Sequence, residues 1–140
     1  QFTPHDTHDW DANQIPVLAE IAINGARRQV VMFANRNGFF YVLERETGKI
    51  ISAGKTTVIT WARGIDLETG RPIEEPNIRY ETGLTEIWPG AVGGHNWQAM
   101  TYHPPTRQLI IPLSQSCMEI AARKVEQVAG TADRHSCRFP

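Results

Sequence analysis

Residues 38–44 read GFFYVLE, a mostly apolar run that ends in a polar residue, in which Phe39, Tyr41 and Leu43 alternate with Phe40, Val42 and Glu44. The odd-numbered positions fall on one face of an extended chain and the even-numbered positions fall on the other. Together with the aromatic and β-branched content, this pattern is typical of a β-strand. Asn37-Gly38 opens the segment and Glu46-Thr47-Gly48 follows it, and both supply residues that tight turns require. The pattern therefore predicts a strand bounded by two turns.

Three further short strands are predicted around this one. Residues 17–23 and 29–34 form two alternating runs joined by Asn24-Gly25, a strong hairpin signal, with 26–28 lengthening the loop. Residues 49–53 form the fourth strand after the next turn. Four short strands in succession indicate an all-β fold, which is a sandwich, a barrel or a propeller.

A similar turn recurs along the chain. Glu46-Thr47-Gly48-Lys49-Ile50 matches Glu68-Thr69-Gly70-Arg71-Pro72-Ile73, since both place a basic residue and then an isoleucine after Glu-Thr-Gly. Residues 102–110 form a looser third copy. Recurrence at about 20 to 40 residues is typical of repeat architectures. The chain is therefore predicted to contain successive β-blades.

The second half of the chain carries weaker signals. Residues 72–89 are polar, with Pro76 and Gly83, and are predicted to form an extended loop that crosses one face of the repeat. A glycine-rich segment, residues 88–94, then precedes His95-Asn96-Trp97. Because glycine has no side chain, we expect the backbone here to come close to another group.

Two more strands are predicted towards the end of the chain. They cover 98–102 and 108–113, and the second is expected to continue over 114–119. Residues 118–129 show some helical spacing, but we interpret them as a surface excursion between strands. Any helix is therefore confined to the region after Met118.

Composition narrows the function classes. The chain has 140 residues and a formal net charge of −1, with a pI near 6.6. Its basic residues are scattered, which argues against a nucleic-acid-binding surface, and no apolar run has the length of a membrane span. Cys117 and Cys137 lack the paired spacing of a zinc site, and their pairing stays open. Because the chain opens at Gln1 without an initiator methionine or a leader, we expect an internal piece of a longer protein.

The first twelve residues are polar and rich in side chains that bind metals. His5 and His8 are interleaved with aspartates, which allows a histidine-based metal module. No compact ligand set at a known spacing is present, so a solvated loop is favoured. Trp10-Asp11 stands shortly before an apolar run that begins at Ile15. We therefore expect this loop to deliver the Asp11 carboxylate beside the start of a strand.

Three motifs in this order are similar to those of the quinoprotein alcohol dehydrogenases of the methanol and ethanol dehydrogenase family. They are Trp10-Asp11, residues 35–43 with Thr47-Gly48-Lys49, and residues 93–97 with Tyr102-His103-Pro104. The resemblance implies a β-propeller of about eight blades that holds pyrroloquinoline quinone (PQQ) and a metal ion, usually calcium. Residues 1–140 would then be a partial PQQ-binding β-propeller domain, with about two to three four-stranded blades.

The resemblance also implies roles for individual residues. Asp11 matches the catalytic carboxylate, which takes the proton of the substrate hydroxyl and lies at the metal as a ligand. Arg36 matches the cation that hydrogen-bonds the ortho-quinone oxygens, and Asn96 matches an amide that contacts the cofactor. Trp97 is expected to pack between blades. The implied reaction is the oxidation of small primary alcohols to aldehydes, with a cytochrome c-type electron acceptor, in the periplasm.

One departure from the family bears on the metal. Relatives that use lanthanides carry a second aspartate two residues after the catalytic one, and here that position is Asn13, so calcium is favoured. A rival interpretation is a non-catalytic quinoprotein-like propeller that acts as a protein-binding scaffold. The coincidence of Asp11, Arg36 and Asn96 at the matching motifs favours the enzyme, because a scaffold needs none of the three.

Overall fold

The computed structural model describes residues 1–122, and within them the chain is all β. No helix in this stretch is long and apolar enough to cross a membrane. The strands are β1 (Val17–Ile23), β2 (Ala26–Ala34), β3 (Phe39–Glu44), β4 (Ile50–Lys55), β5 (Ala62–Ile65), β6 (Pro72–Glu74), β7 (Thr85–Ile87), β8 (Thr101–His103), β9 (Gln108–Ile110) and β10 (Met118–Ile120).

Strands β1 to β4 form one antiparallel four-stranded sheet in sequential order, which confirms the four strands predicted for the first unit. β1 and β2 meet at a two-residue hairpin, since Ile23 pairs with Ala26 across Asn24-Gly25. Both turn residues have positive φ, 51° at Asn24 and 80° at Gly25, as a type I′ turn requires. The predicted lengthening of this loop by 26–28 is therefore wrong, because those residues already belong to β2.

The four-stranded sheet is covered on both faces. On one face, Phe39 and Tyr41 of β3 belong to a buried aromatic cluster that includes Trp61. On the other face, Val42 packs with apolar residues of β1 and β2 and with Leu109 of β9. A sheet with a neighbour on each face is the arrangement of a propeller blade. The alternation along β3 therefore separates two cores.

The second half of the described chain forms three two-stranded antiparallel sheets, β5–β6, β7–β10 and β8–β9. A second complete four-stranded blade is therefore not formed within residues 1–122. The loop predicted over 72–89 contains β6 at its start and β7 near its end, and only 75–84 between them is free of strand. Pro76 and Gly83 lie in this irregular part. Proline cannot donate a hydrogen bond to a neighbouring strand, and glycine weakens a strand.

The strand predicted over 108–119 is interrupted, so its continuation is wrong. β9 ends at Ile110, and Pro112 then lacks the N–H that a ladder requires. The N–H of Ser114 donates instead to the carbonyl oxygen of Gly94, at 2.9 Å. This stretch of chain therefore leaves its sheet and packs against the glycine-rich segment.

The described chain ends shortly after a short strand. Met118 begins β10 and not a helix, and residues 123–129 of the segment with helical spacing lie outside the described residues. The strand predicted over 98–102 is shorter than expected and shifted, since β8 begins only at residue 101. Cys117 is exposed, and Cys137 lies outside the described residues, so their pairing stays a prediction.

Candidate functional site

Three side chains from distant parts of the sequence meet on one short backbone segment, residues 90–92. The indole N–H of Trp10 donates to the carbonyl oxygen of residue 90 at 3.1 Å. Nη2 of the Arg36 guanidinium donates to the carbonyl oxygen of residue 91 at 2.6 Å. Nδ2 of the Asn96 amide donates to the carbonyl oxygen of residue 92 at 2.9 Å. Two of the three predicted site residues, and the neighbour of the third, therefore converge here.

Arg36 lies in the turn between β2 and β3. The turn closes through the Gly38 N–H, which donates to the Asn35 carbonyl at 3.1 Å, and through the Asn35 N–H, which donates to the Phe39 carbonyl at 2.9 Å. Gly38 has φ of +91°, a conformation that a side chain disfavours. The Asn35 side chain accepts the Asn37 N–H at 2.9 Å. These bonds fix the backbone on both sides of Arg36.

Asn37 anchors this turn to the core, a role that the sequence pattern did not reveal. Its side-chain oxygen accepts the Phe39 N–H at 3.0 Å, and its amide donates to the Tyr41 hydroxyl at 3.0 Å. Its carbonyl accepts the indole N–H of Trp61 at 2.8 Å. Burial raises the pKa of Tyr41, and the hydrogen bond from Asn37 opposes this only in part. The Tyr41 hydroxyl is therefore a structural, neutral group.

The glycine-rich segment makes a close approach to Arg36. Gly93 has φ of +84°, and a Cβ there would lie 2.7 Å from the Arg36 Cβ and 2.8 Å from its carbonyl oxygen. The next residue, Gly94, donates its N–H to the Arg36 carbonyl at 2.9 Å. The predicted approach of the backbone to another group is thus an approach to the residue expected to bind the cofactor.

The Arg36 guanidinium keeps hydrogen-bonding capacity after these contacts. Its Nε is buried and has no acceptor within residues 1–122. In the same described range, no carboxylate lies within ion-pair distance of it. A guanidinium has five N–H donors, and the bond to residue 91 uses one of them. The surface ion pair that is the ordinary role of an arginine is therefore not formed here.

Asp11 follows a firmly anchored residue and is itself exposed. Trp10 is only 2% exposed and packs against Trp61 with ring centroids 5.3 Å apart. The Asp11 carbonyl accepts the Asn13 N–H at 3.0 Å and the Gln14 amide at 3.3 Å. The backbone of Asp11 is thus held from both sides, and its carboxylate is open to a ligand.

The metal module based on His5 and His8 gains no support. His8 is 4% exposed, and its Nε2 lies 2.6 Å from the Ile78 carbonyl oxygen. Its ring stacks on Trp10 at 4.3 Å, with 14° between the planes. Within residues 1–122, no group of three or more His, Cys, Asp or Glu side chains is placed to hold a metal ion.

Trp97 is 73% exposed among the described residues, so its expected packing between blades stays a prediction for the complete protein. The buried member of His95-Asn96-Trp97 is His95, which is 1% exposed. Its Nδ1 lies 2.7 Å from the Pro112 carbonyl oxygen, and that oxygen can only accept, so Nδ1 carries the proton. No feature of the sequence singles out His95 within the triplet, although the glycines before it indicate a closely packed backbone.

Comparisons with known proteins identify relatives of this chain. Residues 1–59 match the family model described as "PQQ: Glucose/ethanol/alcohol dehydrogenase, beta-propeller domain". Quinohemoprotein alcohol dehydrogenase ADH IIB of Pseudomonas putida is 48% identical over 115 residues, which cover 82% of this chain and 17% of that protein.

Solved structures with the same fold include two related enzymes. Quinohemoprotein alcohol dehydrogenase ADHIIG from Pseudomonas putida HK5 aligns with a TM-score of 0.80 at 41% identity, over 84% of this chain and 18% of that one. A europium-containing methanol dehydrogenase aligns with a TM-score of 0.85 at 32% identity, over 94% of this chain and 23% of that one. The chain thus spans about one fifth of the length of these relatives. It belongs to the family of PQQ-dependent alcohol dehydrogenases and corresponds to part of their β-propeller.

Proposed function

We propose that the protein containing this chain oxidises small primary alcohols to aldehydes, with PQQ as the cofactor and a divalent metal beside it. The observation that carries the proposal is the convergence of Trp10, Arg36 and Asn96 on residues 90–92. The chain corresponds to only part of the relatives' propeller, so the activity is proposed for the whole protein. PQQ, when bound, supplies the two-electron acceptor for the alcohol carbon.

The donors that the turn presents fit an oxygen-rich cofactor. Arg36 Nε and Asn35 Nδ2 are adjacent in sequence, buried, and without acceptors within the described residues. PQQ carries neighbouring quinone oxygens and carboxylates, which are acceptors for such donors. A planar, permanently charged guanidinium suits paired acceptors, and it stabilises negative charge that develops on them. The bond from Arg36 to residue 91 fixes the direction of the guanidinium beforehand.

Asp11 is proposed to be the general base that accepts the hydroxyl proton of the alcohol. Its carboxylate is exposed and its backbone is anchored on both sides. A base must be held within hydrogen-bond reach of the proton it takes, and such a group contributes about 10²- to 10⁴-fold to a rate. Asp11 is also proposed as one metal ligand, because carboxylate oxygens are the ligands that calcium prefers.

Asn96 is proposed to contact PQQ through the part of its amide that the protein does not use. One of its N–H groups donates to residue 92. The second N–H and the oxygen are left for a ligand, since an amide has two donors and one acceptor. The internal bond also fixes the rotation of the amide, which helps it to discriminate donors from acceptors.

Calcium is proposed as the metal, and Asn13 supports it. The Asn13 side-chain oxygen accepts the Gln14 amide at 2.8 Å, so it is neutral and already engaged. A lanthanide ion carries a higher charge and gains more from an additional carboxylate at this place. The proposal is thus that the chain resembles the europium-containing relative in fold but differs from it in metal preference.

The electron acceptor and the compartment are proposed from the relatives alone. The Pseudomonas putida relatives are quinohemoproteins by name, which supports a cytochrome c-type group as the next electron carrier. The periplasm is the proposed location, by resemblance to the family.

The proposal can be tested with the complete protein, purified without cofactor. We expect PQQ with calcium to restore oxidation of a primary alcohol, measured with an artificial electron acceptor, and PQQ with lanthanum to restore less. Arg36→Ala should weaken PQQ retention and turnover together, since it removes charge at the quinone. Arg63→Ala, which removes an arginine that is 69% exposed and lies on β5, should change neither. A protein that never takes up PQQ would favour the scaffold instead.

A further inference from the structure

The loop before Asp11 holds an unfavourable backbone conformation. His5 has φ of 49° and Asp9 has φ of 65°, and residues other than glycine occupy this left-handed region at a cost of about 1 kcal/mol or more. Such conformations persist where the surrounding contacts determine them, and they are concentrated at functional sites. Something in the fold must therefore hold this loop in place.

The Asp6 carboxylate supplies the first constraint. Its Oδ1 accepts the His8 N–H at 2.9 Å, and its Oδ2 accepts the Trp10 N–H at 2.7 Å, so the carboxylate spans the strained Asp9. Partial burial alone would raise the pKa of Asp6. The nearby His8 side chain, whose Nδ1 lies 3.4 Å from Oδ1, and the hydrogen bonds from both backbone N–H groups outweigh it and hold the pKa below the ordinary value. The ionised form of Asp6 is therefore the one that the fold favours.

The His8 ring supplies the second constraint. Its Nε2 donates to the Ile78 carbonyl oxygen, because that oxygen can only accept, and its ring is stacked on Trp10. Tyr80 packs edge-on against the His8 ring, with the ring centroids 6.2 Å apart. The Tyr80 hydroxyl donates to the Thr7 carbonyl oxygen at 2.8 Å. The irregular segment between β6 and β7 thus holds the loop before Asp11 through contacts of Ile78 and Tyr80.

These contacts end at Trp10, which is the residue before Asp11. We propose that Asp6 and His8 are positioning residues for Asp11: they fix Trp10, and Trp10 fixes where the Asp11 carboxylate stands. This inference rests on the proposed function, since a position matters only if Asp11 is the base. Displacement of a reacting group by about 1 Å can cost about a hundredfold in rate. Neither Asp6 nor His8 needs to touch the substrate for this effect.

The chain offers a matched control for Asp6. Asp66, in the turn between β5 and β6, also accepts two backbone N–H groups, those of Glu68 at 2.8 Å and Thr69 at 3.2 Å. Asp66→Ala therefore removes a similar carboxylate cap from an exposed turn that is not part of the proposed site. A general loss of stability affects both variants, but a loss of positioning affects only the Asp6 variant.

The experiment compares Asp6→Ala, Asp6→Asn and Asp66→Ala in the complete protein. For Asp6→Ala we expect kcat to fall about tenfold to a hundredfold, with KM and PQQ content nearly unchanged. Hydrogen exchange in peptides that cover residues 5–14 of the cofactor-free protein should accelerate about tenfold or more. Asp6→Asn keeps one acceptor oxygen, so its kcat should be intermediate. Asp66→Ala should leave kcat unchanged, and if Asp6→Ala fails to fold, Asp6→Asn carries the comparison.

Asp11→Asn, measured beside these variants, separates the two hypotheses. If Asp11→Asn loses turnover while both Asp6 variants keep the wild-type kcat, the positioning role is overturned and the proposed function stands. The positioning role is likewise overturned if Asp66→Ala lowers kcat as much as Asp6→Ala does. If Asp11→Asn keeps turnover, the proposed base and the positioning role that depends on it both fall.

Discussion

Gly93 offers a sharp perturbation of the proposed cofactor site, because a side chain there would meet both backbone and side-chain atoms of Arg36. A Cβ at position 93 would meet the Arg36 Cβ at 2.7 Å, and its Cα and carbonyl oxygen at 2.8 Å. Real Cβ atoms do not come this close to other heavy atoms. Gly93→Ala must therefore displace either the glycine-rich segment or the turn that carries Arg36.

The chain contains a control that separates this clash from backbone strain. Gly25 has φ of +80°, close to the +84° of Gly93, but a Cβ there would meet nothing within 4 Å. Alanine in the left-handed region costs about 1–2 kcal/mol, and this term applies to both positions. Overpacking adds about 1–3 kcal/mol, and it applies to Gly93 alone. We therefore expect Gly93→Ala to lower the free energy of unfolding by about 1–3 kcal/mol more than Gly25→Ala does.

The two variants can be compared in the complete protein by urea unfolding and by PQQ titration. Gly25→Ala should lower the unfolding midpoint modestly and leave the dissociation constant of PQQ unchanged. Gly93→Ala should lower the midpoint further and raise that dissociation constant, since the movement falls on Arg36. Equal midpoints and equal PQQ affinities for the two variants would show that the close packing of Gly93 on Arg36 has no energetic consequence.

Three further predictions concern the core, the pH and the metal. Trp61→Phe removes the donor to the Asn37 carbonyl and should lower the free energy of unfolding by about 1–3 kcal/mol, measured by urea unfolding. The lowered pKa of Asp6 adds stability above the ordinary aspartate pKa, and this is lost as the pH falls through the folded-state pKa. The difference in Tm between wild type and Asp6→Asn should therefore shrink in acid. Asn13→Asp should shift metal preference towards lanthanides in reconstitution assays.

The first blade could be predicted from the sequence because its signals are local. Alternation over 38–44 and the Asn24-Gly25 turn specify strands and hairpin from neighbouring residues alone. The predicted start of the second strand failed because a two-residue turn lets 26–28 pair at once with β1. The polarity of residues 26–28 does not show whether they belong to the loop or already pair with the neighbouring strand.

In the candidate site, too, some features follow from local sequence and others depend on the three-dimensional fold. The sequence motifs predict Asp11, Arg36 and Asn96 as site residues, but the segment on which Trp10, Arg36 and Asn96 converge, 90–92, is visible only in three dimensions. Asp6 could not be singled out, because its bond to Trp10 depends on a positive φ at the intervening residue. The burial of His95 could not be predicted either, since local polarity does not tell which residue of a triplet turns inward.

Turnover and cofactor content of Asp11→Asn in the complete protein test the central claim most directly. Asparagine keeps the size and an oxygen that can face a metal, but it cannot accept the proton. We expect the rate of dye-linked oxidation of a primary alcohol to fall about a hundredfold to ten-thousandfold. PQQ content, read from its absorbance, should stay near the wild-type level, and Asp66→Asn should match the wild type in both. Undiminished turnover in Asp11→Asn would contradict the assignment of Asp11 as the base.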